Sequence, residues 1–193
     1  MSTITGVERM PALAEANMDE AQKKAAAELV AGPRGGVKGP FVALLRSPEL
    51  MDRLQRVGEY LRFNSCLEAR ITELVALLVS RDWIQQFEWC THVPLALKAG
   101  VSQGTIDALR DGRRPPAMPP DEQAVYEMLD ELSRTKGVSD ATYDTALRLF
   151  GERGVIDVLG VAGYFTALSM TMNAVHTPPP PGTAVPTLAP FPR

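Results

Sequence analysis

Apolar residues recur at helical spacing along most of this chain. Leu67, Ile71, Leu74 and Leu78 follow one another at intervals of four, three and four residues, which places them on one face of a helix. No segment of the sequence shows the strict alternation of apolar and polar residues that is typical of a half-buried strand. The pattern therefore predicts an all-α protein of about seven to nine helices.

Capping residues and helix breakers indicate where these helices begin and end. Ser47 and Pro48 suit the N-cap and the first helical position, and Gly100 suits the position that follows a helix end. Pro94 is compatible with a kink or with a break between two shorter helices. Besides the helix that carries the leucine stripe, we expect helices over 19–31, 41–46, 48–63, 83–99, 103–110, 119–136, 139–152 and 154–175.

Glycine and proline divide the chain into three parts. The segment 32–40 is rich in both residues and breaks any regular period, which predicts a loop. Four successive prolines, Pro178–Pro181, predict an extended segment. We therefore expect an N-terminal arm of helix and loop over 1–39, a helical domain over 40–175 and a proline-rich extended arm over 176–193.

Composition narrows the class of protein. The chain has 193 residues, a formal net charge of -3 and two cysteines far apart in sequence, Cys66 and Cys90. No basic cluster supports nucleic-acid binding, and the cysteine spacing fits a reducing cytoplasm better than a disulfide framework. Residues 1–8 lack the basic and apolar regions of a signal peptide. The uncharged stretch 158–175 is about as long as a membrane span, but its glycines and polar side chains favour a buried helix, so we expect no membrane insertion.

The strongest chemical signal lies in the expected helix 83–99. Glu88 and His92 are four residues apart, about one helical turn, so their side chains emerge on the same face. The chain has only two histidines, and a carboxylate beside one of them can fix its tautomer or shift its pKa. Such a pair also occurs as an ordinary polar contact, so the spacing alone does not establish a site.

Several short motifs occur in the order and spacing of one known family. They are Ser47-Pro48-Glu49-Leu50, Tyr60-Leu61-Arg62, Glu73-Leu74-Val75, Phe87-Glu88-Trp89 with His92, and Lys98-Ala99-Gly100-Val101-Ser102. Together they resemble the carboxymuconolactone decarboxylase family, which includes the alkylhydroperoxidase D-like proteins. The resemblance is clearest over 32–128. It implies an all-helical bundle that assembles as a trimer or a hexamer.

The same motifs distinguish two branches of that family. The peroxidase branch carries a glutamate, a Cys-x-x-Cys dithiol and a histidine. Glu73 and His92 match the glutamate and the histidine, whereas Gln85 and Glu88 stand at the two cysteine positions and Cys90 is out of register. The chain therefore resembles the decarboxylase-type branch, whose pattern is aromatic-Glu-Trp-x-x-His. That branch implies a role in aromatic compound catabolism.

The decarboxylase reaction, as the resemblance implies it, removes carbon dioxide from an acidic lactone without a metal or an organic cofactor. It leaves a delocalised anion that must be stabilised and protonated. We assign His92 as the proton donor, Glu88 as the group that orients it or shares its proton, and Glu73 as a relay on the neighbouring helix. An ion pair of Glu73 with Arg70 is the structural alternative. Carboxylates raise and burial lowers the pKa of His92, and the sequence does not rank the two effects.

Four further residues are candidates for contact with the substrate. Arg62 and Arg34 can each pair bidentately with a carboxylate, and Arg34 lies in the glycine-rich loop, where ligand contacts are common. Trp89 lines the pocket or packs in the core. His176 begins the C-terminal arm, which can close over a neighbouring subunit's pocket. Cys90 is expected to be a small buried hydrophobe rather than a nucleophile.

Three functions stay open at this level. The first is a cofactor-free lyase that acts on a small carboxylated lactone or keto acid. The second is an alkylhydroperoxidase-like redox protein that uses its two cysteines, which the missing dithiol disfavours. The third is a non-catalytic helical oligomer that binds a small molecule, although three polar groups in apolar helices are costly to bury without a use. No third ligand accompanies Glu88 and His92, so we expect no metal site.

Overall fold

The computed structural model describes residues 6–32 and 34–189, and over these ranges the protein is a helical bundle without a β-strand. The all-α prediction is therefore confirmed. Three parts of the chain lie outside the described residues: 1–5, which include most of the segment without signal-peptide features, residue 33 of the glycine-rich loop, and 190–193 at the end of the expected C-terminal arm. The helices are α1 Glu20–Ala31, α2 Pro40–Leu44, α3 Pro48–Glu59, α4 Ala69–Asp82, α5 Gln86–Ala99, α6 Gln103–Arg110, α7 Pro120–Thr135 and α8 Asp140–Val175.

Local sequence explains several of these helix ends. Asp19 caps α1 through a capping box with Gln22, because each side chain accepts a hydrogen bond from the other residue's backbone N–H. Ser102 caps α6 by accepting a hydrogen bond from the backbone of Thr105. Gly100 ends α5 with a φ of 104°, a left-handed conformation that glycine adopts without steric cost. The capping signals in the sequence thus locate helix ends to within a few residues.

Two expected helix boundaries differ from the structure. The helix expected to continue to Phe63 changes at Tyr60 into a π-helical turn, Tyr60–Asn64. Helix α5 begins at Gln86 rather than at Trp83, because Ile84 has a φ of 49° and breaks the helical path between α4 and α5. Pro94 lies inside α5, which is assigned as one continuous helix.

Helices α4 and α8 form the centre of the bundle. Leu74, Val75, Ala76 and Leu77 of α4 are completely buried. Helix α8 contains a break at Gly151, which has a φ of 67°, so the two helices expected over 139–152 and 154–175 meet there. Helix α8 is long and apolar enough to cross a membrane, but 56% of its most apolar window is buried inside the protein. That burial is typical of a core helix in a soluble protein.

The chain after α8 packs on the outer side of α5. Residues 177–189 contain no helix. Trp89 of α5 donates a hydrogen bond of 3.1 Å from its indole N–H to the carbonyl of Pro186. The backbone N–H of Leu188 donates a bond of 3.0 Å to the side chain of Gln86, and the Leu188 side chain is buried in a second core group with Trp89. The described part of the arm therefore covers its own chain.

Candidate functional site

A buried histidine lies between two carboxylates at the contact of α4 with α5. His92 Nδ1 is 2.5 Å from Glu73 Oε2, and His92 Nε2 is 3.2 Å from Glu88 Oε2. Glu88 and His92 come from successive turns of α5, whereas Glu73 comes from α4. The relative exposure of these residues is 9% for Glu73 and 3% for each of the other two. The sequence-predicted trio therefore forms one buried group, named here the His92 cluster.

The two carboxylates determine the protonation of His92. Burial lowers the pKa of its imidazole, but hydrogen bonds and charge interactions with Glu73 and Glu88 outweigh burial and raise the pKa to about 9. At neutral pH the ring therefore carries a proton on both nitrogens and donates one hydrogen bond to each carboxylate. This geometry resolves the opposition between burial and charge that the sequence leaves open.

The start of α5 is fixed by a buried glutamine. Gln85 Oε1 accepts hydrogen bonds from the backbone N–H groups of Phe87 and Glu88, at 2.5 Å and 3.4 Å. Its side-chain amide donates to Asn173 Oδ1 of α8 at 3.0 Å, and Asn173 in turn donates to the carbonyl of Trp83 at 2.8 Å. The residue at the first cysteine position of the peroxidase pattern thus serves here as a helix cap that anchors α5 to α8.

Arg62 lies at the more exposed edge of the His92 cluster. Its guanidinium is 3.9 Å from Glu73 Oε1, and the side chains of Arg62 and Glu73 are 22% and 11% exposed. Arg62 belongs to the π-helical turn after α3, a distortion that is often found at functional sites. The ion pair of Glu73 with Arg70 considered above does not form, because Arg70 binds Asp121 and Glu122 at 2.5 Å and 2.6 Å.

Arg34 reaches the bundle from the glycine-rich loop. Its Nη2 donates a hydrogen bond of 3.1 Å to the hydroxyl of Tyr164 in α8, and its guanidinium carbon is 4.4 Å from the centre of the Phe41 ring. Tyr164 is followed by Phe165, whose ring makes an edge contact with the imidazole of His92 at 4.8 Å. Arg34 is therefore connected to the His92 cluster through two successive residues of α8.

Two of the predicted substrate contacts lie elsewhere. Trp89 is 1% exposed and packs in the second core group, so its position agrees with the core alternative rather than with a pocket wall. His176 follows the end of α8 with a φ of 59°, and its ring lies against Gly6. Among the described residues, no hydrogen bond or ion pair links His176 to His92. Helical spacing does not reveal which face of α5 meets α4, so the sequence alone does not distinguish a pocket position from a core position for Trp89.

Both cysteines have a raised thiol pKa. Cys90 is buried, and burial raises the pKa of its thiol. Cys66 is exposed, and both desolvation and the nearby Asp157 raise its thiol pKa.

A cleft of about 560 Å³ between α4, α7 and α8 has Leu78 and Tyr126 in its walls and none of the residues of the His92 cluster. The cluster itself is closed in this structure.

Two residues near Arg34 were missed by the sequence reasoning. Tyr164 is the phenol that Arg34 contacts, and Gly58 of α3 lies beneath both side chains. A weak signal existed for each of them. Gly58 interrupts a predicted helix, where glycine costs about 1 kcal/mol relative to alanine, and Tyr164 carries a hydroxyl within the uncharged stretch 158–175.

The bundle belongs to the alkylhydroperoxidase D-like class of folds. It superposes with a TM-score of 0.73 at 14% identity on an uncharacterized peroxidase-related protein from Ralstonia eutropha JMP134 with an alkylhydroperoxidase AhpD core, covering 90% of this chain and 92% of that one. An uncharacterized peroxidase-related protein from Silicibacter sp. TM1040 gives a TM-score of 0.73 at 14% identity, covering 94% and 97%. A protein of unknown function from Agrobacterium tumefaciens, whose description suggests an antioxidant defence protein AhpD, gives 0.64 at 19% identity, covering 71% and 94%.

The middle of the chain is similar to one known protein family. Residues 48–131 match the Carboxymuconolactone decarboxylase family. This match confirms the resemblance of the sequence motifs over the matched residues. No curated protein matches the chain. The identities to the solved structures are low, so they establish the fold and leave the reaction open.

Proposed function

We propose that the protein is a cofactor-free lyase that releases carbon dioxide from a small carboxylated lactone or keto acid, with His92 as the proton donor. The observation that carries this proposal is the buried imidazole held between Glu73 and Glu88, with its pKa raised to about 9. A protonated imidazole in a closed site is suited to deliver a proton to carbon at neutral pH.

The proposed reaction balances without a further reactant. The bond between the substrate carbon and its carboxylate breaks, and its electron pair moves into the adjacent carbonyl system, which gives carbon dioxide and an enolate. The imidazolium of His92 then transfers its proton to the carbon that lost the carboxylate. Water returns a proton to His92, and Glu73 is placed to relay it because its side chain reaches the more exposed edge of the cluster. The net change consumes one proton from solvent.

The described cysteines support a lyase over a dithiol peroxidase. Such a peroxidase needs a low-pKa thiolate with a second thiol nearby. Here Gln85 caps α5 and Glu88 binds His92, and both thiols have raised rather than lowered pKa values. Peroxide treatment followed by thiol titration tests this point: we expect no disulfide between Cys66 and Cys90, and rapid formation of one would favour the redox alternative.

The two histidines provide a matched pair of variants for the main test. Release of carbon dioxide is measured with carboxymuconolactone and with a panel of lactones and β-keto acids. We expect His92→Gln to abolish turnover with an unchanged circular dichroism spectrum, and His176→Gln to retain it. The rate of the native protein should fall as the pH rises through about 9, because the proton donor is then lost.

Near-normal turnover by His92→Gln would refute the assignment of the proton donor. Binding of these compounds by the native protein without any release of carbon dioxide would instead favour the non-catalytic alternative. A pH profile that rises through 9 would show that neutral rather than protonated His92 is the active form.

We also propose that the protein is a cytoplasmic homo-oligomer, a trimer or a hexamer. The apolar stretch 158–175 gives little support for assembly, because much of α8 is buried in its own bundle. Other apolar side chains support assembly: Val57, Phe63 and Ile156 are 46%, 55% and 66% exposed. Unpaired Cys66 and Cys90 fit a reducing compartment. A mass near 21.0 kDa in light scattering at micromolar concentration would contradict the oligomer.

A further inference from the structure

Arg34 has a positive charge without a carboxylate partner in the described residues. It contacts the Phe41 ring, whose centre is 4.4 Å from the guanidinium carbon, and the Tyr164 hydroxyl, 3.1 Å from Nη2. Both neighbours are uncharged in their ordinary states. A guanidinium has five N–H donors in a planar fork, so most of its donors remain available to an anion.

Tyr164 offers a second donor at the same point. Its oxygen accepts the hydrogen bond from Arg34, and no acceptor for its own O–H is found in the part of the chain that the structure describes. Burial raises the pKa of this phenol, and Glu88 raises it further against the opposing effect of Arg34. The hydroxyl therefore keeps its proton at neutral pH and can donate it in a hydrogen bond.

Gly58 makes this arrangement sterically possible. A Cβ atom on Gly58 would lie 2.2 Å from the Tyr164 hydroxyl oxygen and 2.5 Å from Arg34 Nη2. Any side chain at this position of α3 would displace one of the two groups. Glycine is unfavourable inside a helix, but at this position of α3 it leaves room for both donors.

The charges of the His92 cluster are balanced without Arg34, which leaves the charge of Arg34 available to a ligand. Protonated His92 and the nearby Arg62 carry two positive charges, which balance the two carboxylates of Glu73 and Glu88. Arg34 is not needed for that balance. Its position beside the cluster, through Tyr164 and Phe165, gives an anionic substrate its own counter-charge.

We propose that Arg34 and Tyr164 form a two-donor subsite for an anionic oxygen of a small ring carboxylate, and that Gly58 is the residue that leaves room for this pair. The subsite deepens the proposed function and rests on it for its role in turnover, because it would hold the anionic substrate beside His92 while carbon dioxide leaves. Its capacity to bind an anion does not depend on turnover and is tested separately.

The binding test uses 2-furoate, a stable five-membered ring that carries one carboxylate. Isothermal titration calorimetry compares the native protein with Arg34→Gln, Tyr164→Phe and Gly58→Ala. We expect each change to weaken 2-furoate binding about tenfold or more, since a hydrogen bond to a charged group contributes on this scale. Two matched controls, Tyr126→Phe and Gly163→Ala, should bind like the native protein, because Tyr126 lines the separate cleft and a Cβ on Gly163 meets nothing within 4 Å.

The outcomes separate the subsite from the proposed reaction. Absence of 2-furoate binding to the native protein, or native affinity in both Arg34→Gln and Tyr164→Phe, would overturn the subsite. If Gly58→Ala proves unfolded by circular dichroism, the other two variants decide alone. Weakened binding in these variants while the native protein releases no carbon dioxide from any tested compound would leave the subsite standing and refute the lyase. Turnover that depends on His92 but not on Arg34 or Tyr164 would leave the lyase standing and refute the role of the subsite in turnover.

Discussion

Replacing Glu73 by glutamine should uncouple His92 from the carboxylate that holds it at 2.5 Å. The pKa of His92 rises from 6.5 to about 9 in the folded protein, which corresponds to about 3 kcal/mol of folding free energy. Because the folded pKa lies above the unfolded one, this stabilisation is complete below pH 6.5 and is lost as the pH rises through about 9. In Glu73→Gln the pKa of His92 should fall and most of this pH dependence should disappear.

The measurement is simplified by the presence of only two histidines. Proton–carbon correlation spectra report both imidazoles, and the variant His176→Gln assigns the signal of His92. Urea unfolding at pH 6 and at pH 9.5 then gives the free energy of unfolding, with His92→Gln as the reference for every other group that titrates in this range. Glu49→Gln is the control for loss of one carboxylate, because the Glu49 side chain is 90% exposed.

Three results would refute this reasoning. The first is a native His92 that titrates at or below 6.5, because burial would then outweigh the two carboxylates. The second is an unchanged pKa in Glu73→Gln, because the observed contact would then have no electrostatic effect. A change of equal size in Glu49→Gln would show that net charge, rather than the contact with Glu73, controls the titration.

Two further predictions concern the support of the bundle. Arg70→Met should lower the free energy of unfolding, measured with urea at pH 7, by about 2–3 kcal/mol, because it leaves Asp121 and the buried Glu122 without their partner. A loss below about 0.5 kcal/mol would place this ion pair among weak surface pairs. Trp89→Phe should remove the hydrogen bond to Pro186, lower the free energy of unfolding by about 1 kcal/mol and speed proteolytic cleavage within 177–189. An unchanged cleavage rate would show that Leu188 alone holds the arm.

The fold could be predicted from the sequence because helix signals are local. The stripe from Leu67 to Leu78 and the capping residues act over a few positions, and the structure follows them. The failures have a long-range cause. Leu50 and Val57 lie seven residues apart, on one face of α3, yet they are 49% and 46% exposed, because periodicity identifies a face without identifying what covers it.

The candidate site was predictable to different extents for its different members. Glu88 and His92 follow from their spacing within one helix. Glu73 needed the family motif, because nothing in the spacing of α4 shows which residue meets α5. Tyr164 and Gly58 come together through the packing of α3 and α8 although they are 106 positions apart in the sequence, and no local pattern reports such a contact.

The closed packing around His92 also determines what a binding experiment measures. A group that is 3% exposed meets a ligand only after the protein has opened, so entry is a two-step process in which opening precedes contact. At high ligand concentration the observed association rate should reach a plateau equal to the opening rate. Ligand association would then be limited by the motion of the helices around His92, while the chemical barrier at His92 would be measured separately, as the rate of turnover of bound ligand.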